Sequence, residues 1–270
     1  MSDALTPQAL QLAFRHSRFV RRFFFYPAIG STNDRAKELA SQGAEEGTLV
    51  VAEQQTAGRG RSDRGDRGWY SPPGLGIYVS ILYRPPIPAA STFGVLAATS
   101  LGVASAVESL HPQGVVGVKW PNDLVAEGKK LAGLLTELST SGGEVDWCVV
   151  GVGLNVNHTV ADYPADLRQR AISVRQLCNR HVDRPRLLAV MVERAAAWYQ
   201  TFLEDGMPRV LDEWKRRSSI LGRLVRLETA GETYVGTAVA VEDDGALRIR
   251  LEGGAEEVLH AADVHLVQIR

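Results

Sequence analysis

The chain has 270 residues, of which 45% are hydrophobic and 23% are charged, and this composition is typical of an ordinary globular protein. Its net charge of −1 at pH 7 argues against bulk nucleic-acid binding, so any affinity for phosphate has to be local. Its only cysteines, Cys148 and Cys178, lie outside metal-ligand spacing, which predicts neither a disulfide framework nor a zinc site and favours a cytoplasmic location.

In chain order, the first residues lack the basic and apolar regions of a secretory signal. Helices are predicted at 5–18, at 36–40 behind an N-cap at 31–34, and at 90–110, 186–203 and 207–217. Strands are predicted at 21–27, 48–53, 75–84, 115–120, 130–138 and 145–155. The apolar stretch 93–110 contains polar residues and predicts a buried helix, not a membrane span. The first 217 residues therefore predict a mixed α/β body.

From residue 221 onward the pattern changes to short β segments. They lie near 223–229, 233–241, 246–251, 256–260 and 264–269, and glycine-containing turns join them. This spacing predicts a small barrel or sandwich.

Glycines and arginines alternate within residues 52–74. Glycine permits close approach of the backbone to a ligand, and the guanidinium fork binds phosphate or carboxylate, so the segment favours a loop that folds over an anion. A solvated charged loop has the same composition, and the residues alone leave both interpretations open.

Three further segments favour a binding site. The residues at 30–33 are equally typical of a helix cap. In 119–130, a strand, a Pro-Asn-Asp turn and a second strand place two lysines beside one aspartate, which suits a phosphate with a divalent cation, although a plain hairpin turn remains an alternative. The glycines at 151–157 lack the third glycine and the following helix of a dinucleotide-binding turn, so a Rossmann interpretation fails.

Taken together, these motifs resemble the biotin protein ligase family. The matching motifs are Ser-Thr-Asn at 31–33, Gln-Thr-Ala-Gly-Arg-Gly-Arg at 55–61, Trp-Tyr-Ser-Pro at 69–72, Lys-Trp-Pro-Asn-Asp at 119–123, Gly-Lys-Lys-Leu-Ala-Gly at 128–133 and Gly-Val-Gly-Leu-Asn-Val-Asn at 151–157. The resemblance covers nearly the whole chain from about residue 25. It implies an α+β fold, with a mixed-sheet catalytic domain at 1–217 and a small SH3-like β-barrel at 218–270.

The resemblance also implies a two-step reaction. Biotin attacks the α-phosphate of ATP, with Mg²⁺ present, to give biotinyl-5′-AMP, and a lysine of a biotin carboxyl carrier protein or domain then takes the biotinyl group. No covalent enzyme intermediate is required, so catalysis rests on positioning and on neutralising charge. We expect no nucleic-acid or membrane partner and no DNA-binding domain, and the resemblance leaves a homodimer open.

Carried over residue by residue, the resemblance assigns the site as follows. The residues assigned to hydrogen bonds with biotin are Ser31, Thr32, Asn33 and Gln55. Those assigned to enclose the biotin carboxylate and the α-phosphate are Gly58, Arg59, Gly60 and Arg61. Those assigned to line the biotin pocket are Leu131, Gly133, Gly151 and Gly153. Lys130 is assigned to contact with the intermediate, and Trp69 to stacking on the adenine. The residues assigned to the ATP phosphates and Mg²⁺ are Lys119, Asn122, Asp123 and Asn155. Asp123 is also assigned to deprotonation of the incoming lysine. The predicted catalytic residues are Arg59, Arg61, Lys119, Asp123 and Lys130, with Asp123 as the metal ligand.

One segment departs from the family pattern, because 62–68 makes the connection to Trp69 about three residues longer and adds Asp63 and Asp66. Lengthening a loop costs little closure entropy, a few tenths of a kcal/mol as an order of magnitude, so we expect activity to survive. The two aspartates are expected to pair with neighbouring arginines.

Three alternatives remain. A lipoate ligase or octanoyl transferase shares the implied fold, but the transferase needs a cysteine nucleophile, and Cys148 lies in an apolar predicted strand. A biotin-binding regulator would need a DNA-binding domain, and only some twenty residues precede the catalytic body. A non-catalytic binding protein would leave the site's cations without a function.

Overall fold

The computed structural model describes residues 3–61, 68–112, 114–229, 231–260 and 262–267, so residues 62–67 of the lengthened loop lie outside the described residues. Helices span α1 Pro7–Phe14, α2 Thr32–Ser41, α3 Phe93–Glu108, α4 Val174–Cys178, α5 Arg184–Asp205 and α6 Met207–Arg216. Strands span β1 Arg22–Tyr26, β2 Thr48–Ala52, β3 Gly76–Tyr83, β4 Gly117–Lys119, β5 Asp123–Ala126, β6 Lys129–Ser141, β7 Glu144–Asn155, β8 Leu224–Glu228, β9 Thr233–Val241, β10 Leu247–Leu251, β11 Glu256–Leu259 and β12 Asp263–Leu266.

The larger sheet has seven strands in the order β1-β2-β3-β7-β6-β5-β4. β1 and β2 are parallel, and the other neighbours are antiparallel, so the sheet is mixed. The chain leaves both parallel strands at the same edge of the sheet, because β1 leads to the turn before α2 and β2 leads to the arginine-glycine segment. The topology therefore brings two of the predicted motifs together.

Helices cover both faces of this sheet. α3 and α5 pack together in the main hydrophobic core, whereas α2 packs in a separate cluster against Val50, Leu82 and Val149. Residues that alternate along a strand face opposite sides, which is why Val50 and its neighbours Leu49 and Val51 belong to different clusters. The stretch 89–108 is long and apolar enough to cross a membrane, but most of it is buried in the core, as predicted for a buried helix.

The second sheet is antiparallel and has five strands in the order β11-β10-β9-β8-β12. It is held to the larger sheet where β4 ends. Backbone bonds join Val118 N to the carbonyl of Arg217 (2.9 Å) and Ser219 N to the carbonyl of Val118 (2.8 Å). The Trp120 indole donates to the carbonyl of Gly245 (2.8 Å). The second sheet thus starts beside the predicted Lys119 turn.

Two elements differ from the prediction. Asp123, assigned to a turn, is the first residue of β5, a four-residue strand paired on both sides by β4 and β6. α4 was not predicted, because it has only five residues, although Ser173 and Gln176 form a capping box at its start. Both are too short for a periodic pattern to stand out in the sequence.

Candidate functional site

A single cavity of about 1020 Å³ contains nearly every predicted site residue. Those that line it are Ser31, Thr32, Asn33, Gln55, Arg59, Gly60, Arg61, Trp69, Lys119, Asn122, Asp123, Lys130, Gly133, Gly151, Gly153 and Asn155. Leu131 and Gly58 do not line it. Leu131 follows Lys130 on β6 and therefore faces the hydrophobic core on the other side of the sheet. Gly58 is buried beneath the loop, against Ser71 and the carbonyl of Trp69.

One end of the cavity is neutral and polar. The backbone N–H and the hydroxyl of Thr32 both donate to Gln55 Oε1 (2.9 and 3.0 Å), and Gln55 Nε2 donates to Ser71 Oγ (3.2 Å). Ser31 is the N-cap residue of α2, as predicted, but its hydroxyl makes no cap bond. Among the described residues Ser31 Oγ has no hydrogen-bond partner, so it is available to a ligand together with the second hydrogen on Gln55 Nε2.

Asn33 is held by the protein on both sides of its amide. Its Nδ2 donates to the carbonyl of Leu135 (3.2 Å) and to Glu137 Oε2 (2.8 Å), while Oδ1 accepts from Ser80 Oγ (2.5 Å). A Cβ at Gly151 would lie 2.1 Å from Asn33 Oδ1, so this approach requires glycine. Both amide hydrogens of Asn33 are in use, and only a lone pair on Oδ1 remains for a ligand.

The indole of Trp69 lies on glycines of the central strands. A Cβ at Gly153 would lie 2.3 Å from Trp69 Nε1, and a Cβ at Gly133 would lie 3.0 Å from the ring. Lys130 Nζ lies 5.1 Å from the ring centroid, within cation–π range. Trp69 Nε1 is buried and has no hydrogen-bond partner among the described residues. Two of the glycines predicted to line the biotin pocket are therefore covered by this indole.

The other end of the cavity is cationic. Lys130 Nζ contacts Asp123 Oδ1 at 2.7 Å. Burial lowers the pKa of Lys119; Asp123 opposes this shift, whereas the nearby Lys130 and Arg170 add to it. A bound anion would stabilise the charged form of Lys119, so this end of the cavity favours phosphate.

Asn155 is buried next to the lysines but is largely occupied by backbone. Its Nδ2 donates to the carbonyls of Ile172 (3.2 Å) and Lys130 (3.4 Å). Phosphate oxygens accept hydrogen bonds, so the saturated Nδ2 of Asn155 is not available to them, whereas Oδ1 can still serve as an acceptor or a metal ligand. Asn122, on the neighbouring turn, likewise uses Nδ2 on the carbonyl of Leu134.

The two arginines of the loop have different partners. Arg59 forms a bidentate pair with Asp34, with both N···O distances at 2.6 Å, and this pairing lowers the pKa of Asp34 to about 2. Arg61 donates from Nη2 to the carbonyl of His260, which directly follows β11 of the second sheet (3.1 Å). Arg61 makes no other hydrogen bond to the described residues.

The sequence did not indicate the rest of the cavity wall. The additional lining residues include Tyr163, Asp166, Leu167 and Arg170 from the segment after β7, and Arg223, Ala262, Asp263, Val264, His265 and Leu266 from the C-terminal part. No local motif marks them, because only the tertiary fold brings them to the site. The segment after β7 is fixed by backbone bonds from Lys130 N to the carbonyl of Arg170 (2.8 Å) and from Ile172 N to the carbonyl of Lys130 (3.0 Å).

The donor set limits what metal the site can hold. In the described part of the chain, no group of three or more histidine, cysteine, aspartate or glutamate side chains could hold an ion. The cavity is lined by the carboxylates of Asp123, Glu127, Asp166 and Asp263, and of these Asp123 and Asp263 act to raise the pKa of Lys119. Mg²⁺ is commonly bound by one or two carboxylates plus substrate phosphates, and this arrangement fits that pattern rather than an all-protein cage.

Comparisons with known proteins agree with this geometry. Residues 25–155 match the model of the biotin/lipoate A/B protein ligase family, and residues 220–267 match the biotin protein ligase C-terminal domain. The chain is 34% identical to the biotin–acetyl-CoA-carboxylase ligase of Mycobacterium tuberculosis, over 87% of this chain and 85% of that protein. The chain belongs to the biotin protein ligase family.

Two other members of the family are also similar to this chain. The bifunctional ligase/repressor BirA of Bacillus spizizenii is 32% identical over 91% of this chain and 74% of that protein. A structure of biotin protein ligase from Aquifex aeolicus in complex with biotin and ATP superposes with a TM-score of 0.76 and 26% identity, covering 92% of this chain and all of that chain. The predicted fold, a mixed-sheet α+β body followed by the family's C-terminal domain, is confirmed. The domain boundary after residue 217 stays a prediction.

Proposed function

We propose that the chain activates biotin with ATP to form biotinyl-5′-AMP, and then transfers the biotinyl group to a lysine of a biotin carboxyl carrier protein or domain. One observation carries this proposal: a single cavity joins a neutral hydrogen-bonding end to a cationic end. An acyl-adenylate is also neutral at its acyl end and anionic at its phosphate. The Aquifex relative was solved with both biotin and ATP, which supports the same pair of substrates.

The neutral end suits the ureido ring of biotin. A ureido group carries two N–H donors and one carbonyl acceptor, so it needs partners of both kinds. Ser31 Oγ and the second hydrogen of Gln55 Nε2 can donate to the carbonyl, while Asn33 Oδ1 retains an acceptor lone pair. Charged side chains are not needed there, and the protein's own hydrogen bonds hold Gln55 and Asn33 in place before the ligand binds.

The first step forms one bond and breaks another. A carboxylate oxygen of biotin bonds to the α-phosphorus, and the bond from that phosphorus to the bridging oxygen breaks, releasing pyrophosphate. Negative charge grows on the departing oxygen, and Lys119, Lys130 and Arg61 can stabilise it in the cavity. Preorganised cations of this kind typically contribute several kcal/mol to catalysis, about 3 kcal/mol per group where single donors have been removed.

Mg²⁺ would bind at this site together with the triphosphate of ATP. Asp123 and Asp263 are the carboxylates that would hold it, and the ion would neutralise phosphate charge when bound. Asp123 already contacts Lys130 at 2.7 Å, so the aspartate also keeps that lysine at the cationic end.

In the second step the carrier's amine attacks the acyl carbonyl carbon, and the bond to the phosphate oxygen breaks to release AMP. The attacking amine has to be neutral, and Asp123 is the proposed acceptor of its proton. No enzyme nucleophile is needed because the anhydride is already activated. A homodimer and a cytoplasmic location stay predictions.

The lipoate or octanoyl alternative is less well supported. The first family model covers both biotin and lipoate enzymes, but the second describes a biotin protein ligase domain. Cys148 lies in β7, fully buried, and burial raises the pKa of its thiol to about 12. Neither cysteine lines the cavity, so the site offers no thiolate for an acyl-enzyme.

The test is to incubate the protein with ATP, Mg²⁺, biotin and a biotin carboxyl carrier domain, and then to probe the carrier with streptavidin. We expect labelling that depends on ATP and on the carrier lysine. If a known ligase labels the same carrier and this protein does not, the proposal is wrong. A parallel reaction with lipoate or octanoate tests the alternative.

A further inference from the structure

Four charged side chains form a cluster, here called the α2 cluster, where the loop leaves β2. It consists of Asp34 and Lys37 in α2, Arg59 in the loop, and Glu137 in β6. Lys37 Nζ lies 3.1 Å from Asp34 Oδ1 and 2.5 Å from Glu137 Oε1, and Arg59 Nη2 lies 3.8 Å from Glu137 Oε2. Two cations and two carboxylates therefore neutralise each other, and all four side chains are partly exposed.

Within this cluster the terminal nitrogens of Arg59 are committed to Asp34. Nη1 donates to Oδ2 and Nη2 to Oδ1, both at 2.6 Å, which is the fork geometry of a strong charge-assisted pair. A guanidinium that uses this edge on a carboxylate cannot present the same edge to a phosphate. Arg59 therefore differs from Arg61, whose single described bond goes to a backbone carbonyl.

The backbone of Arg59 also fixes the returning end of the loop. Arg59 forms an antiparallel bridge with Gly68, and Trp69 N donates to the carbonyl of Gly58 at 2.8 Å. Trp69 then lies on Gly153 beneath Lys130. A continuous set of contacts therefore leads from Asp34 through Arg59 to the indole at the centre of the cavity.

The cluster is tied to the biotin end as well. Glu137 Oε2 accepts from Asn33 Nδ2 at 2.8 Å, so the carboxylate that holds Lys37 also orients the Asn33 amide. Asn33 and Asp34 are adjacent in the first turn of α2. The α2 cluster therefore positions both the Asn33 amide at the neutral end of the cavity and, through Asp34, the side chain of Arg59.

We propose that Asp34 is a positioning residue for the two described arms of the arginine-glycine segment, 55–61 and 68–72, and that Arg59 acts through Asp34 as the anchor of these arms instead of binding phosphate. This inference rests on the proposed function and refines it: Arg61, Lys119 and Lys130 supply the charge at phosphorus, while the α2 cluster holds these arms in the conformation that retains biotinyl-5′-AMP.

The competing view is that Asp34 is a latch, which holds Arg59 away from phosphate until substrate displaces it. The two views predict opposite signs for Asp34→Asn. Removing an anchor loosens the bound intermediate, whereas removing a latch frees Arg59 and tightens it. A single substitution therefore distinguishes them.

The first experiment measures the dissociation rate of biotinyl-5′-AMP from Asp34→Asn, Arg59→Ala and the double variant. We expect about tenfold faster release from each single variant, since a bidentate charge-assisted pair is lost, and nearly the same rate from the double variant because the two residues act as one unit. Slower release from Asp34→Asn, or additive effects in the double variant, would overturn the proposal. Unchanged release would overturn it too.

Glu38→Gln is the matched control, because Glu38 lies in the same helix and pairs with Arg35 at 2.9 Å, away from the loop. We expect wild-type release from this variant. Asp34→Glu keeps the carboxylate and should recover most of the retention.

The second experiment needs no substrate. Amide hydrogen exchange at Trp69, whose N–H bonds to Gly58, should be faster in Asp34→Asn and unchanged in Glu38→Gln. If the wild-type protein forms no biotinyl-5′-AMP, the proposed function fails, while this experiment still tests the anchor. Faster exchange combined with unchanged release would show a purely structural contact and would also overturn the inference.

Discussion

At the scale of single residues, Lys130 combines three contacts that neighbouring residues lack. Its ammonium pairs with Asp123, lies over Trp69 and lines the cavity, whereas Lys129 precedes it on the strand and does not line the cavity. Successive side chains of a strand point to opposite faces of the sheet, so Lys130 lines the cavity and the adjacent Lys129 does not.

Lys130→Met should therefore lower the rate of biotinyl-5′-AMP formation by about a hundredfold or more, because one preorganised cation near the phosphate is lost. Biotin-dependent release of pyrophosphate measures this step. Lys129→Met is the control, and equal losses in both variants would contradict the assigned role.

His158 gives a residue-scale prediction about stability. The side chain is completely buried, its ring stacks on Tyr163 with centroids 4.9 Å apart, and neither ring nitrogen has a hydrogen-bond partner among the described residues. Burial lowers the pKa of His158 from 6.5 to about 4. Between these values the unfolded chain binds the proton and the folded chain does not, so stability is complete above pH 6.5 and falls as the pH decreases towards 4.

The free energy of unfolding should fall by at most about 1.4 kcal/mol per pH unit from this group within that window. In His158→Phe, which keeps an aromatic ring against Tyr163, the change between pH 7 and pH 5 should be smaller than in the wild type. Denaturant unfolding at the two pH values measures it. Identical changes in both proteins would mean that His158 does not titrate as inferred.

Sequence motifs indicated which residues lie near the cavity, but not the direction or the partners of each side chain. The structure brings the motif residues Ser31, Gln55 and Lys130 to one cavity, and each lies close to the start or the end of a strand; their binding roles stay predictions. Leu131 does not line the cavity, because a motif gives the order of residues along a strand but not the face on which each side chain lies. The bidentate partner of Arg59 could not be predicted, since Asp34 looked like an ordinary residue of a helix cap.

At the scale of elements, the turn after β4 connects the two sheets. Trp120 is almost fully buried and donates its indole N–H to Gly245 in the turn before β10. Lys119 precedes Trp120, so the contact that holds the second sheet also fixes a lysine of the site.

Trp120→Phe should destabilise the protein by about 1–3 kcal/mol, since it leaves the buried carbonyl of Gly245 without its donor. The midpoint and slope of denaturant unfolding measure this change. Trp198→Phe is the control, because Trp198 is half-buried in α5 and its indole N–H has no partner among the described residues. A loss no larger than that of the control would contradict the argument.

Most elements were predictable because their patterns are long. The strands before and after α3 and the five C-terminal strands were placed within a few residues, since alternation and turn residues define them. β5 and α4 were not predicted because four or five residues carry too little periodicity.

At the scale of the whole molecule, the cavity belongs to both sheets. Asp263 and His265 of β12 line it together with Lys119, and Arg61 donates to the carbonyl of His260. No sequence motif indicated this shared wall, because it depends on how the C-terminal part docks.

Ligands should consequently stabilise both parts together. Biotin with a non-hydrolysable ATP analogue, each at about one hundred times its dissociation constant, should add roughly 3 kcal/mol per ligand to the free energy of unfolding. Differential scanning calorimetry should show the whole transition moving to a higher temperature. A separate transition of the C-terminal part that does not move would contradict a shared cavity.

The central claim is that the cavity makes and retains an acyl-adenylate before any carrier binds. The most direct measurement incubates the protein with biotin, Mg²⁺ and ATP labelled at the α-phosphate, separates protein from free nucleotide, and then adds the carrier domain. We predict labelled biotinyl-5′-AMP that forms only with biotin, stays with the protein and is converted to AMP as the carrier lysine becomes biotinylated. Absence of a biotin-dependent adenylate, or label covalently attached to the enzyme, would contradict the account.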